Sequence, residues 1–312
     1  MKKSILFEAS KLIKNQINEF ENVSGGLSGR LIFRAITISD SYICVYNENL
    51  QENEAYFSFN NSLNKAGVFT PEILNISKNR KTYILEDFGE NSLFQLSLAD
   101  KQSIFVGQMY RRIAALLPKL LFNTDKFIDY TKCYQGDIFD KNTIEMDLDL
   151  FEIFLRENKI EKRNNLQYKQ LMTSIKSNPL HTTHICFLYR DFQPRNILIK
   201  NNEPYFIDFQ SGRKGNPWYD ISSFIYSSST FVNEVEGIEL ISIFCDNLIE
   251  FMDISKESAI EKIYESALIR LAQMLGRYNS VKNTHPNVVE KIDKVLPKFL
   301  QIYKKLTGCD FI

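Results

Sequence analysis

The residues best suited to chemistry lie in one short polar segment and in a carboxylate that follows it. Asp191 and Asn196 are five residues apart, and Asp208 follows Asn196 by twelve residues. The apolar run 197–199 predicts the first strand of a hairpin. Such a hairpin would bring Asn196 and Asp208 to the same end of its two strands, with Asp191 in the loop beside them. Carboxylate and amide oxygens are hard ligands that suit Mg²⁺.

This arrangement predicts phosphoryl transfer from a nucleotide. The reaction needs one carboxylate to orient and deprotonate the acceptor hydroxyl, and others to hold a metal ion on the phosphates. We expect Asp191 to be the catalytic base, and Asn196 and Asp208 to bind Mg²⁺, with ATP as the donor. Gln193 and Arg195 of the same loop are expected to contact the substrate. Taken singly, each residue would fit an Asx-rich turn or a helix cap, whereas the combination favours function.

The elements that must position these residues form two regions. The first predicts a helix over 5–20, a small and mostly antiparallel sheet, and a helix over 52–65. Its expected strands are 31–38, 42–46, 72–76 and 82–86. The rest of the chain predicts helices, over 100–121, 147–178, 234–253, 255–278 and 287–306, with a β-rich island over 186–209. We therefore expect an α+β protein with a nucleotide-binding lobe at 1–87 and a helical catalytic and substrate-binding lobe at 88–312.

The composition narrows the class of partner. The chain has 312 residues, and 38 Lys and Arg balance 38 Asp and Glu, which argues against nucleic acid as the partner. The five cysteines form no CxxC pair, which fits a reducing cytosol. No signal-peptide core or apolar run of about 18 residues occurs. We expect a cytoplasmic protein that binds a small molecule, with no membrane or obligate protein partner.

The segment 190–198, followed by Ile207-Asp208-Phe209-Gln210, resembles the catalytic segment of the aminoglycoside phosphotransferase and choline kinase superfamily, which is related to protein kinases. It is most similar to the bacterial anomeric amino-sugar kinases, of the N-acetylmuramate and N-acetylglucosamine type. The resemblance extends from Ser28-Gly29-Arg30 through Glu86-Asp87-Phe88-Gly89 to Trp218-Tyr219-Asp220. It implies a two-lobed, protein-kinase-like fold and an ATP- and Mg²⁺-dependent kinase that phosphorylates a hydroxyl, with a sugar or an amino sugar as acceptor.

The resemblance also implies supporting roles for residues outside the catalytic segment. The backbone groups of Glu86 and Phe88 would present hydrogen bonds to the adenine edge of the nucleotide. Asp220 would brace the catalytic loop without taking part in the chemistry. Tyr189 stands where the family often has a histidine that orients the loop, so we expect the tyrosine hydroxyl to take over that role.

The strand expected to carry a phosphate-binding lysine reads ICVYN at 43–47 and has none. Arg30 or Arg34 is the expected replacement, because a guanidinium binds phosphate oxygens through two hydrogen bonds. The alternative for each arginine is a solvent-facing position. The glycine-rich loop before Arg30 includes Ser28 and Gly29, and its backbone N–H groups are expected to cover the phosphates. It is not a Walker A loop, because no Lys-Ser or Lys-Thr follows Gly29.

Three alternatives stay open at this point. Arg213, in the turn 210–215, is assigned to an anionic substrate or the transferred phosphate, or else belongs to a solvated basic turn. The acid-rich stretch 234–265 favours a cationic acceptor, such as an aminoglycoside, choline or another amino alcohol, unless it is a solvated helix face. The missing lysine and Tyr189 also permit a nucleotide-binding pseudokinase.

Overall fold

The computed structural model describes residues 2–23 and 29–312, so the predicted contact of Ser28 lies outside the described residues. The first region combines two helices with one antiparallel sheet, whose strands lie in the order β1-β2-β3-β5-β4. Its elements are α1 (Lys2–Leu12), β1 (Glu19–Val23), β2 (Leu31–Ile36), β3 (Ser41–Tyr46), α2 (Leu50–Lys65), β4 (Ile73–Ile76) and β5 (Thr82–Glu86).

The predicted helix over 5–20 is too long, since α1 ends at Leu12. Phe20 instead lies in β1, opposite Ala35 of β2. The apolar spacing of Ile17 and Phe20 fits a helix face, but the ladder of hydrogen bonds to β2 outweighs that local preference. The glycine-rich loop consequently connects two paired strands, and Arg30 lies directly before the second of them.

The second region is mainly helical, as predicted, and the expected α+β class is confirmed. Its elements are α3 (Leu93–Ala99), α4 (Ile104–Asp125), α5 (Lys141–Glu157), α6 (Asn165–Ser177), α7 (Pro179–Thr182), β6 (Cys186–Leu188), β7 (Ile197–Lys200), β8 (Glu203–Phe206), β9 (Arg213–Gly215), α8 (Trp218–Tyr226), α9 (Glu234–Leu248), α10 (Lys256–Val281) and α11 (Val288–Thr307). The single helix expected over 147–178 is two helices, and β9 and α8 were not predicted. No helix among the described residues is both long and apolar enough to cross a membrane.

Two small antiparallel sheets carry the predicted catalytic segment. Strands β7 and β8 form the expected hairpin, with Ile197 opposite Phe206. This register continues past the hairpin, because the Ile207 N–H donates to the Asn196 carbonyl at 3.0 Å. Strands β6 and β9 form the second sheet. The chain entering β7 and the chain leaving β8 therefore lie side by side, which brings the positions around 196 and 208 together.

The buried apolar side chains form two clusters. The smaller one lies between α1 and the sheet, and the larger one runs from β5 and α2 through the helices to α11. The larger cluster crosses residue 87 without interruption, so the division into two domains at that residue stays a prediction. Helix α10 lies at the centre of the helical region and packs against α5, α8, α9 and α11.

Helices α5 and α10 meet at a glycine. A Cβ atom at Gly276 of α10 would lie 2.7 Å from the carbonyl carbon of Leu150 and 2.8 Å from the nitrogen of Phe151, both backbone atoms of α5. Such distances are well inside van der Waals contact, so only glycine permits this approach. The close approach of α10 to α5 thus depends on residue 276 being a glycine, which has no Cβ atom.

We expect Gly276→Ala to lower the free energy of unfolding by about 1–3 kcal/mol, because the added methyl group must push two backbones apart. Gly107→Ala is the matched control, since Gly107 also lies within a helix and its Cβ would meet only the flexible end of Arg111, at 3.1 Å. That control is expected to be neutral or stabilising by up to about 1 kcal/mol. Urea unfolding of both variants tests this, and equal midpoints would contradict the close-packing argument.

Candidate active site

The three residues predicted to carry the chemistry meet around the side-chain amide of Asn196. Its Nδ2 donates to the backbone carbonyl of Asp191 at 2.8 Å and lies 3.4 Å from Oδ2 of Asp208. Asp208 has a positive φ of 68°, a backbone conformation that is uncommon outside glycine. The turn after β8 therefore adopts an unusual backbone to aim this carboxylate back at the loop.

The carboxylate of Asp208 is strongly held in its charged form. Arg30 donates to Oδ1 from Nη2, and Gln210 donates to the same oxygen from Nε2 at 2.9 Å. Burial opposes ionisation, but the nearby Arg30 charge and these hydrogen bonds outweigh it and lower the pKa of Asp208 to about 2. Glu52 of α2 lies on the other side of the guanidinium, 3.6 Å from Arg30 Nε.

The donor set fits a magnesium ion held together with phosphates. The amide nitrogen of Asn196 is engaged by the Asp191 carbonyl, which leaves Oδ1 as the available ligand atom, next to the charged Asp208. The described residues contain no cluster of three His, Cys, Asp or Glu side chains that would hold a metal ion alone. Proteins usually bind Mg²⁺ through one or two side-chain oxygens, and phosphate oxygens of the substrate fill further positions around the ion.

Asp191 is positioned through one of its two carboxylate oxygens. Oδ1 accepts from Arg270 Nη2 at 3.0 Å and from Gln193 Nε2 at 3.3 Å. The second oxygen, Oδ2, accepts no hydrogen bond from the part of the chain that the structure describes, and the side chain is 29% exposed. Arg270 is itself fixed by Tyr219 Oη at 3.2 Å and by Gln273 Oε1 at 2.9 Å. Asp191 is therefore held firmly through Oδ1, while Oδ2 is left available to a ligand.

The loop that carries Asp191 is fastened by Asp220 and Tyr189. Asp220 is buried and accepts from the backbone N–H groups of Tyr189 at 2.7 Å and Arg190 at 2.9 Å. Burial raises the pKa of Asp220 to about 7, although these two hydrogen bonds favour its charged form. The hydroxyl of Tyr189 donates to the carbonyl of Ile207 at 2.6 Å. This hydroxyl thus links the loop that carries Asp191 to Ile207, the residue directly before Asp208.

The two candidate phosphate-binding arginines have different positions. Arg30 reaches Asp208, as described above, whereas Arg34 donates from Nε to Asp87 at 2.6 Å and from Nη1 to Glu90 at 2.9 Å. Burial raises the pKa of Asp87, but the hydrogen bond from Arg34 outweighs it, so the net pKa is lowered. Arg34 therefore fixes the connection between the two regions and does not contact the predicted metal ligands, Asn196 and Asp208.

The predicted hinge residues lie on that same connection. Glu86 ends β5, and the ring of Phe88 packs against Tyr205 of β8 with a centroid distance of 4.2 Å. Gly89 has a positive φ of 76°, and its N–H donates to Asp87 Oδ1 at 2.8 Å. The hinge is thereby held on both sides, by the sheet and by the β7–β8 hairpin.

The turn expected over 210–215 is partly a strand. Arg213 lies in β9, is 3% exposed, and donates to the carbonyl and side-chain oxygens of Gln135 at 2.8 and 3.1 Å. A Cβ at Gly215 would lie 2.7 Å from Cβ of Leu188, so this strand packs closely against β6. These contacts favour a structural role for Arg213, and its predicted contact with substrate stays a prediction. Arg195 is partly exposed and makes no hydrogen bond to any described residue.

The acid-rich stretch 234–265 does not reach the site. Eight of its nine acidic side chains are exposed, and three of them pair with nearby cations, Glu239 with Arg111 at 2.7 Å, Asp246 with Lys256 at 2.5 Å and Glu261 with Lys262 at 3.8 Å. The buried exception, Glu265, contacts His181 and Lys262, each at 2.6 Å. The exposed acids therefore lie on solvated helix faces, and the buried Glu265 belongs to a charge network with His181 and Lys262.

Sequence reasoning missed several residues of the site. Glu52 was seen only as part of a polar helix, and Arg270 was not singled out. Arg190, which follows Tyr189 with a positive φ of 78°, donates to Asp147 of α5 at 3.2 Å and was given no role. The one signal available was the apolar run around Arg270, since Leu268, Ile269 and Leu271 predict a buried position for that arginine.

Comparison with known proteins finds the same fold in solved structures. Three solved structures share the fold: the streptomycin–ATP ternary complex of APH(2")-IIa (16% identity, TM-score 0.62, covering 95% of this chain and 96% of that one), choline kinase from Cryptosporidium parvum Iowa II (14%, 0.66, 99% and 97%) and ethanolamine kinase from Plasmodium vivax (15%, 0.62, 96% and 86%). Among curated protein sequences, none matches the chain.

The sequence match is to a family. Residues 97–240 match the phosphotransferase enzyme family, APH. The matched segment contains Asp191, Asn196 and Asp208, the residues that meet in the structure. This match, to 144 of the 312 residues, indicates a phosphotransferase.

Proposed function

We propose that this protein transfers the γ-phosphate of ATP to a hydroxyl group of a small molecule, in a Mg²⁺-dependent reaction, with a sugar or an amino sugar as the acceptor. The observation that carries the proposal is the meeting of Asp191, Asn196 and Asp208 around one amide, at the distances given above. ATP as the donor is supported by the similar structure that contains it.

In this proposal Asp191 orients the acceptor hydroxyl and accepts its proton. Its free Oδ2 is the contact atom, while Arg270 and Gln193 fix the other oxygen. Asn196 and Asp208 hold the Mg²⁺, which when bound neutralises charge on the phosphates. No covalent intermediate is required, so positioning and charge neutralisation supply the rate.

Arg30 takes the part of the missing phosphate-binding lysine. Protein kinases hold the nucleotide phosphates with a lysine that is paired to a glutamate on a helix. Here the corresponding pair is Arg30 and Glu52, 3.6 Å apart, with the helix α2 carrying the glutamate. Tyr56 of the same helix stacks on Phe209 at a centroid distance of 4.8 Å, which ties α2 to the metal-binding turn. Arg34 supports the hinge instead, at Asp87.

The remaining predicted contacts complete the nucleotide site. The backbone of Glu86 and Phe88 would meet the adenine edge, and Gly29, with Ser28 before it, would cover the phosphates. Gln193 already reaches Asp191, and Tyr189 would act with Asp220 by fixing the loop on which Asp191 lies.

A cationic acceptor is the second candidate. Two of the similar structures are named as kinases of choline and of ethanolamine. In this chain, however, the acid-rich stretch that suggested such an acceptor lies outside the site. A nucleotide-binding pseudokinase is the third candidate. The first experiment below separates it from the two kinase functions, because a pseudokinase would not consume ATP with any acceptor.

We expect Asp191→Asn to lower kcat for phosphate transfer by at least about 100-fold, because the amide cannot accept the proton of the hydroxyl. Asp149→Asn is the matched control, since Asp149 is exposed on α5 and lies outside the site. ATP consumption with Mg²⁺ is measured across free sugars, amino sugars, choline and aminoglycosides, with thermal denaturation as the test of folding. Turnover that survives in Asp191→Asn would exclude the proposed mechanism.

Arg30→Gln is expected to raise the KM for ATP by roughly 10- to 100-fold, since it removes a charge-assisted contact to phosphate. Arg30→Lys should recover part of the affinity. Arg80→Gln serves as the control, because Arg80 is exposed in the same region and pairs only with Glu54. An ATP KM in Arg30→Gln equal to that of the unaltered protein would remove Arg30 from this role.

A further inference from the structure

Arg30 lies between two carboxylates from different parts of the chain. Its Nη2 donates to Oδ1 of Asp208, and its Nε lies 3.6 Å from Oε1 of Glu52. The three side chains are largely shielded from solvent, since Arg30 is 12% exposed, Glu52 13% and Asp208 24%. Because little water screens the charges, the attraction between the guanidinium and each carboxylate is strong.

A glutamine connects the same two carboxylates. Nε2 of Gln210 donates to Oδ1 of Asp208 at 2.9 Å and to Oε1 of Glu52 at 3.4 Å. Oδ1 of Asp208 thus receives one hydrogen bond from Arg30 and one from Gln210. Two hydrogen bonds occupy both lone pairs of a carboxylate oxygen. The protein's own side chains therefore fill the bonding capacity of this oxygen.

The contact with Arg30 conflicts with the expected role of Asp208 as a metal ligand. A magnesium ion lies about 2.0–2.1 Å from its oxygen ligands, so an ion on either oxygen of Asp208 would lie within roughly 7 Å of the guanidinium. Positive charges that close repel each other strongly in a poorly hydrated site. Arg30 and a divalent ion consequently compete for Asp208, and the guanidinium must turn away before the ion binds well.

Arg30 has somewhere else to go. Glu52 on α2 already lies on the other side of the guanidinium and can keep it when the bond to Asp208 breaks. Gly29 directly precedes Arg30, and a Cβ atom at this glycine would meet no atom of a described residue within 4 Å. A guanidinium also binds phosphate oxygens through two hydrogen bonds. Arg30 can therefore exchange Asp208 for a phosphate and remain paired with Glu52.

We propose that Arg30 is an internal counter-ion, which keeps divalent ions off Asp208 until the phosphates of the nucleotide take over its guanidinium. The inference rests on the proposed function and adds a regulation of that site, because a metal ion is then retained only together with the nucleotide. The exchange also keeps the carboxylate paired at every stage, and an unpaired charge in such a place is costly.

Two simpler roles for the Arg30 contact make different predictions. A structural tie between β2 and the turn after β8 would position Asp208, so its removal would not improve metal binding. A charge that only repels cations would weaken the binding of every cationic ligand, and its removal would strengthen the binding of the metal ion and of its nucleotide complex alike. An exchangeable counter-ion predicts opposite effects on these two ligands.

The first measurement uses Mn²⁺ alone, which takes the same oxygen ligands as Mg²⁺. The free ion is counted by electron paramagnetic resonance. We expect Arg30→Gln to bind one Mn²⁺ at least about 10-fold more tightly than the unaltered protein, because a charge within about 4–6 Å shifts such an equilibrium by one to three powers of ten. Adding Asp208→Asn to this variant should abolish the gain, which assigns it to that carboxylate.

Arg195→Gln is the charge-matched control. Arg195 directly precedes Asn196, the other expected metal ligand, and donates no hydrogen bond to Asp208 or to another described residue. Removing its charge should change the affinity for Mn²⁺ by less than about 3-fold, because a partly exposed charge without a direct contact is screened by water. An equal gain in Arg195→Gln would reduce the effect of Arg30 to general repulsion and overturn the inference.

The second measurement titrates the preformed complex of Mn²⁺ and a non-hydrolysable ATP analogue into the full chain, by calorimetry. Arg30→Gln should bind this complex roughly 10- to 100-fold more weakly than the unaltered protein, since it lacks the guanidinium that the phosphates bind. One substitution thus acts in opposite directions on the metal ion alone and on its nucleotide complex. The inference is overturned if Arg30→Gln fails to tighten the first or fails to weaken the second.

Arg30→Lys is the second variant, in case thermal denaturation shows that Arg30→Gln is not folded. Lysine keeps the charge but has a single donor group, so it cannot hold Asp208 and Glu52 as the guanidinium does. Its affinity for Mn²⁺ alone should exceed that of the unaltered protein by at least about 3-fold, and equal affinities would overturn the inference. None of these readings requires phosphate transfer, so they stay separate from the Asp191→Asn assay of the proposed function.

Discussion

The side-chain amide of Asn196 is the contact on which the site depends. One hydrogen bond fixes the carbonyl of Asp191, and the same nitrogen lies against Asp208. The amide can reach both because β7 and β8 are paired in a register that continues through the Ile207 N–H. A one-residue slip of that hairpin would turn the side chains to the other face and separate the three groups.

Each aspartate around this contact is matched to an arginine from a distant part of the chain. Asp208 is paired with Arg30, and Asp191 with Arg270. In each pair the arginine and a glutamine, Gln193 or Gln210, donate to the same oxygen, Oδ1. The pairs differ at Oδ2, which in Asp191 accepts no hydrogen bond from a described residue and in Asp208 lies 3.4 Å from Asn196 Nδ2. In the proposed mechanism the first of these oxygens meets the acceptor hydroxyl and the second meets the metal ion.

The local part of this site was predictable from the sequence, and the long-range part was not. The spacing from Asp191 to Asp208 specifies a loop and a hairpin because strand pairing over a few residues follows local patterns. Arg270 is 79 residues from its partner, and whether a residue of a helix faces the loop depends on how the helices pack. Arg30 was named with Arg34 because alternation along a strand cannot choose between them.

The errors in secondary structure have the same origin. Helix α1 was predicted too long because β1 acquires its strand conformation from β2. Strand β9 was missed because Arg213-Lys214-Gly215 has no strand composition, and its conformation comes from pairing with Cys186–Leu188. In both places a partner elsewhere in the chain decides the backbone, which is information that a local window does not contain.

The backbone contact at Gly276 bears on how such a protein could acquire a new specificity. It prevents α10 from sliding along α5, so the helix that carries Arg270 is a fixed wall. Asp191 and Gln193, in contrast, lie on a loop outside the helices, where side chains can be exchanged without moving a packed backbone. Evolutionary change in what the protein accepts should therefore accumulate on loops around Asp191, while the helix behind that residue stays in place.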